Sequence, residues 1–144
     1  MILIADTSGI LAAYDENAAE ADACASALSE AGVVVLSPLA LAEIDHVVTR
    51  EFGRDAAMEI IDDIRRWSRA GRVVMPEITT AGIDAAQGLR ARYAALDLDL
   101  VDAVNVVLAA EFRTDLVLTL DQRDFRAVRP LGAHKTFRLL PFDL

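Results

Sequence analysis

Three short stretches carry side chains whose types and spacing could do chemistry. In ILIADTSG, residues 2–9, an apolar run ends in Asp6, and in LVLTLD, residues 116–121, another ends in Asp121. In LVDAVNVVLAA, residues 100–110, only Asp102 and Asn105 are polar. They stand three apart, hence on one face of a helix, and Asp99 extends the same stripe toward its N-terminus. A helix apolar on its other sides is a buried helix. An isolated carboxylate there, or at the tip of a buried strand, is costly unless a cation, a hydrogen-bond donor or solvent compensates it. The plainer reading makes these acids turn formers and helix caps. That suits Asp99, suits Asp102 poorly and leaves Asn105 unexplained.

A further acid is less pointed. On PLALAEIDHVV, residues 38–48, Leu41, Ile44, Val47 and Val48 form the apolar face, with Glu43 on one flank and Asp45 on the other. Either reaches a neighbouring crevice or is simply solvated. No basic residue lies close in sequence to Asp6, Glu43 or Asp102. Carboxylates gathered without counter-charge repel one another and take up protons, and a divalent cation removes that conflict. Oxygen-only donors favour Mg²⁺ or Mn²⁺ over zinc. His46 and His134 have no metal-ligand spacing and offer no nucleophile–base pair, and the one cysteine, Cys24, excludes an intramolecular disulfide and a Cys-rich zinc site.

The elements that must position these acids follow from periodicity. Apolar, β-branched runs at 2–5, 33–36, 73–75, 116–120 and 136–140 predict five strands. Helical segments are expected from 9 to about 14, at 18–31 with Gly32 as its stop, from Ser37 (N-cap) and Pro38 to about 52, at 55–70 with Gly71 as its stop, and at about 80–95 and 100–112. Strands alternating with helices and nearly continuous in apolar residues predict a mostly parallel sheet of about five strands covered on both faces, a three-layer α/β/α sandwich. In such a sheet the ligand crevice opens at the carboxyl ends of the strands. Asp6 and Asp121, each following a strand, emerge there together.

Composition sets the outer bounds. The chain has 144 residues, 54% of them hydrophobic and 26% charged, which suits one domain over residues 1–144 with a sizeable core. No apolar run approaches a membrane span and the N-terminus lacks a signal-peptide pattern, so a cytoplasmic protein is expected. The net charge of -9 argues against a nucleic-acid partner until its distribution is considered. Residues 1–49 hold eight acids and no Lys or Arg, so the remainder carries 15 acids against all 14 basic residues. Thirteen of these are arginine, suited to bidentate phosphate contacts, although a GC-rich genome would give the same bias. Arg65, Arg66, Arg69 and Arg72 form one candidate patch, for which a solvated helix face is the default reading.

ADTSGIL, SPLALAEIDHVV, LDLDLVDAVNVVLAAE and LTLDQRDF, in this order, resemble the PIN domain, and more narrowly the VapC ribonuclease toxins of bacterial type II toxin–antitoxin pairs. The similarity spans essentially the whole chain, and no principal acidic position departs from the family pattern. The resemblance implies that Asp6, Glu43, Asp102 and Asp121 are catalytic and hold one or two Mg²⁺ or Mn²⁺ ions. It also implies that Ser8 supports Asp6, and that Asp124 occupies a position acidic in many relatives. Asp99 and Asn105 are supporting neighbours. It further implies a metal-dependent endoribonuclease acting on structured RNA (transfer or ribosomal RNA), a cognate VapB antitoxin covering the crevice, and toxin homodimers within a toxin–antitoxin hetero-oligomer. Arg123, Arg126 and Arg129, close after the fourth strand, are the candidates for RNA contact.

Competing readings make different demands. A dehalogenase-like domain wants a second Asp where this chain has Ser8. A phosphoryl-transfer receiver wants an acidic pair at the first strand and a lysine after a late one, and Lys135 is badly placed for that role. A non-catalytic PIN-like RNA-binding or scaffold domain would be marked by missing acids. A DNA flap nuclease would carry added helical elements, for which 144 residues leave little room.

Overall fold

A computed structural model describes residues 1–143. Leu144, the last residue of the expected domain, lies outside them. Five strands, β1 (Ile2–Ala5), β2 (Val33–Val35), β3 (Val73–Val74), β4 (Leu116–Leu118) and β5 (Arg138–Leu140), form one sheet in the order β3-β2-β1-β4-β5. Every pairing is parallel. Seven helices separate the strands: α1 (Thr7–Tyr14), α2 (Ala21–Glu30), α3 (Pro38–Phe52), α4 (Arg54–Arg69), α5 (Thr80–Arg92), α6 (Leu100–Glu111) and α7 (Gln122–Ala127).

Two apolar layers hold the helices to the sheet, and strand alternation divides them. Leu3, Ala5, Val34, Leu116, Leu118 and Leu140 face one core with Ile10, Ala40, Ile44 and Ile64 from α1, α3 and α4. Ile4, Val35, Val117 and Leu139 face the other, against Ala86, Leu89, Phe125 and the α6 residues Ala103, Val104 and Val107. The expected three-layer sandwich is the observed one.

Local chemistry sets the boundaries. Ser37 caps α3 by accepting the Leu39 N–H at 3.1 Å, with Pro38 at the first helical position. Gly71, at φ +78°, takes the left-handed conformation that ends the α4 segment. Gly32 acts differently from expectation: α2 already ends at Ala31 in extended conformation. Gly32 instead lies close to the main chain of Met1, to whose carbonyl its N–H donates at 2.9 Å. The fourth strand closes at Leu118, two residues short of expectation, because Thr119 and Leu120 turn into the site described below.

Candidate active site

The strand order reverses between β1 and β4, so a crevice opens at their carboxyl ends. Ala5 lies beside Leu118 in register, and the next residue on each strand enters that crevice: Asp6 on one, Thr119 on the other. Asp6 is 5% exposed and occupies the N-cap position of α1, yet its side chain caps nothing. Its Oδ2 accepts from the hydroxyls of Thr119 (2.8 Å) and Ser8 (3.1 Å), and its Oδ1 from the Asn105 amide (3.4 Å). Those hydroxyls are fixed in turn. Ser8 Oγ accepts the Leu120 N–H and Thr119 Oγ1 accepts the Asp121 N–H, both at 2.9 Å.

Gly9 permits this closeness. A Cβ there would stand 2.6 Å from Leu118 Cγ and 2.8 Å from its carbonyl oxygen, so only glycine lets the first turn of α1 press on the end of β4.

Two helices then aim their N-termini at the same place, each starting with Asp-x-x-Asp. Asp99 caps α6 by accepting the Asp102 N–H at 2.8 Å, and Asp121 caps α7 by accepting the Asp124 N–H at a longer 3.4 Å. The capping reading therefore holds for Asp99 and Asp121, but it does not account for Asp102 and Asp124, one turn further on. Carboxylate oxygens of Asp102, Asp121 and Asp124 all lie within 4.8 Å of one another. Asp102 is 7% exposed, and burial together with the charges of Asp6, Asp99, Asp121 and Asp124 pushes its carboxyl up to about 9. Burial also raises Asp6, against the lowering effect of its hydroxyl donors, and burial and Asp121 raise Asp124. The ion pairs among the described residues lie elsewhere and involve none of these five acids.

Asn105, wholly buried, has an amide oxygen without a partner. An orphaned acceptor beside unneutralised carboxylates, in an all-oxygen donor set, fits a hydrated divalent cation. The residues present therefore suit the expected Mg²⁺ or Mn²⁺.

Glu43 lies on α3 and is half-buried while Asp45 is exposed, so Glu43 is the flank turned inward. It stands outside the close group of three, whereas Asp124, expected only as a supporting residue, stands within it. Arg123 is exposed and close enough to lower the Asp124 carboxyl. Arg129 is exposed, with its main-chain N–H on the Tyr93 hydroxyl. Arg126 is engaged with Asp143 through two 2.7 Å bonds. In the other arginine patch, Arg65 pairs with Asp62 and Arg66 with Asp63, while Arg72 donates to the carbonyls of Leu28, Ser29 and Ala31 at the end of α2. Thr119 escaped the sequence reading; its only signal was one hydroxyl in the otherwise apolar run LVLTL.

The PIN domain matches this chain over residues 3–130. The chain belongs to the PIN-domain family, in its VapC branch. It is 35% identical over 142 residues to Ribonuclease VapC26 of Mycobacterium tuberculosis, a match covering 96% of this chain and 100% of that protein. The fold is similar to that of VapC20, a sarcin-ricin loop cleaving toxin of Mycobacterium tuberculosis (TM-score 0.72, 19% identity, 84% of this chain and 91% of that one). It is also similar to VapBC2 of Rickettsia felis, bound to a DNA fragment from its promoter (TM-score 0.67, 15% identity, 93% and 98%).

Proposed function

We propose that this VapC-type chain, as one PIN domain over residues 1–144, is a toxin that hydrolyses phosphodiester bonds of a structured RNA in the cytoplasm with a bound Mg²⁺ or Mn²⁺. The observation that supports this most is the gathering of Asp102, Asp121 and Asp124 beside Asp6, none of them in an ion pair among the described residues, at the switch point of the sheet.

Asp102, Asp121 and Asp124 offer oxygens toward one point, and Asp6 borders them with its rotamer locked by Ser8 and Thr119. Glu43 completes the donor set from α3, directly or through water. A cation bound there supplies Lewis acidity, acidifying water and offsetting the charge that builds on the phosphate. The N-termini of α6 and α7 turn their positive dipole ends toward the same charge. Arg123 and Arg129, exposed on and after α7, supply the local positive charge that an acidic protein needs to hold a polyanion.

The partner follows from a second groove. A cavity of about 610 Å³ between α1, α3 and α4 runs from Ser8 and Leu120 outward. Its lining includes buried Val48 and Ile60, the exposed Phe52, and Glu16, Glu51 and Glu59. A lining that mixes apolar and acidic side chains suits an amphipathic segment bearing Lys or Arg, and we assign it to a VapB-type antitoxin that also covers the crevice. Toxin homodimers within such a hetero-oligomer complete the assembly we envisage.

The test is incubation of the purified toxin, freed of antitoxin, with total bacterial RNA in Mg²⁺, Mn²⁺ and EDTA, with mapping of new 5′ ends. A few discrete, metal-dependent cuts that vanish in Asp6→Asn are expected. A fully active Asp6→Asn protein, or cuts that persist in EDTA, would end the proposal.

A further inference from the structure

Two of the three close carboxylates stand on the weakest element of the site. α7 has six residues, too few to persist as an isolated helix, and it opens with Asp121 and Asp124, whose carboxyl groups crowd against that of buried Asp102. Bringing three carboxyl groups this close is unfavourable, so a short helix carrying two of them needs a hold.

On its inner side the hold is Phe125, buried and edge-on to Phe137 with ring centroids 5.9 Å apart. On its outer side the hold is Arg126. Both terminal guanidinium nitrogens donate to the two carboxylate oxygens of Asp143 at 2.7 Å each, and one also reaches Gln122 Oε1 at 3.2 Å. Asp143 is itself bound to the sheet. Its Oδ2 accepts the Leu139 N–H at 2.8 Å, and its own N–H donates to the Leu139 carbonyl at 2.7 Å. Leu139 lies in β5, paired with Val117 of β4, the strand that leads into Thr119 and Asp121. A loop of contacts thus closes from β4 through α7 and Arg126 to Asp143 and back to β5. A bidentate guanidinium–carboxylate fork is the geometry in which an exposed ion pair retains strength and direction.

We propose that the Arg126–Asp143 fork is a positioning clamp that fixes Asp121 and Asp124 opposite Asp102, making Arg126 and Asp143 positioning residues of the cation site and not RNA contacts. What the acids hold rests on the ribonuclease reading above; the clamp itself rests on the fork, the shortness of α7 and the closeness of its two acids to Asp102.

The test is Mn²⁺ titration, without RNA, of the wild type, Arg126→Ala, Asp143→Asn, the double variant and Arg126→Lys. Kinetics at saturating Mn²⁺ and thermal melting in EDTA accompany it. Either single substitution is expected to weaken Mn²⁺ binding by about tenfold, as loss of a ligand's supporting partner does. The double variant is expected to be no worse than either single one, and Arg126→Lys to recover part of the affinity. Cleavage returns at saturating Mn²⁺. Variants binding Mn²⁺ within about twofold of a binding wild type overturn the clamp and leave the ribonuclease reading standing. A raised KM for RNA in Arg126→Ala but not in Asp143→Asn, with Mn²⁺ affinity unchanged, returns Arg126 to the substrate surface. A wild type that binds no Mn²⁺ removes the cation reading and the clamp with it.

Discussion

Replacing Asp102 by Asn should make the protein more stable while destroying its activity, by an amount that depends on pH. The side chain is 7% exposed, and its carboxyl is pushed up to about 9 by burial and four neighbouring acids. Its ordinary value is 3.8, so at neutral pH the unfolded chain has lost a proton that the folded chain retains. The folded state binds this proton more tightly, so the associated stability is full below the unfolded value. It is lost steadily as the pH rises toward the folded one. From pH 5 to pH 8 the loss is at most about 4 kcal/mol, at about 1.4 kcal/mol per tenfold change in proton activity. Water reaching the open crevice lowers the effective loss to about 1–3 kcal/mol. Asn has nearly the same shape and no titration, and its amide donates to the Asp121 and Asp124 oxygens nearby. In EDTA at pH 8 the Asp102→Asn protein should therefore melt higher than the wild type, by about 4 °C for each kcal/mol regained. The gain should shrink several-fold by pH 5, and added Mn²⁺ should raise the melting temperature of the wild type only. An Asn variant that melts at or below the wild type at pH 8, or whose gain is the same at both pH values, would refute the reasoning.

Three further outcomes follow from the same geometry. Thr119→Val removes a donor to Asp6 and strands the Asp121 N–H, so Mn²⁺ affinity measured by titration should fall about 10- to 100-fold while the chain remains folded. Gly9→Ala drives a methyl group into Leu118, which should cost about 1–3 kcal/mol in urea unfolding and reduce cleavage as Asp6 and Thr119 move apart. At the acid end the order reverses. Arg138 holds Asp115 below its ordinary value and Arg126 holds Asp143 at about 2, so these pairs contribute stability above pH 4 and lose it as the pH falls toward 2. Asp143→Asn should flatten that acid limb in a pH series of thermal melts.

How much of this was legible in the chain follows from which interactions are local. The layers were readable because alternation such as Leu3, Ile4, Ala5 fixes two faces by period alone, and Asp6 and Asp121 were readable because each interrupts such a run. Asp102 stood out because its helix is apolar all round, and the helix caps because they act within three residues. Thr119 was not legible: its partners Asp6 and Ser8 lie more than a hundred residues away, and a threonine in a strand is ordinary β-former chemistry. The weight of Asp124 was hidden for a related reason. Its separation from Asp102 depends on how α7 is seated, and that seat is set by Arg126 on Asp143 and by Phe125 on Phe137, pairs brought together only by the β4–β5 register. Arg126 illustrates the converse case. Its place close after Asp121 and Asp124 suggests a phosphate contact, while its side chain pairs with a carboxylate 17 residues on. Sequence proximity thus identified the acids, whose chemistry is intrinsic. It could not identify what holds them together, because gathering like charges requires bonds from parts of the chain that carry no charge signal of their own. The cost of that gathering is expressed in the raised carboxyls of Asp6, Asp102 and Asp124, and on the proposed function a bound divalent cation would relieve it.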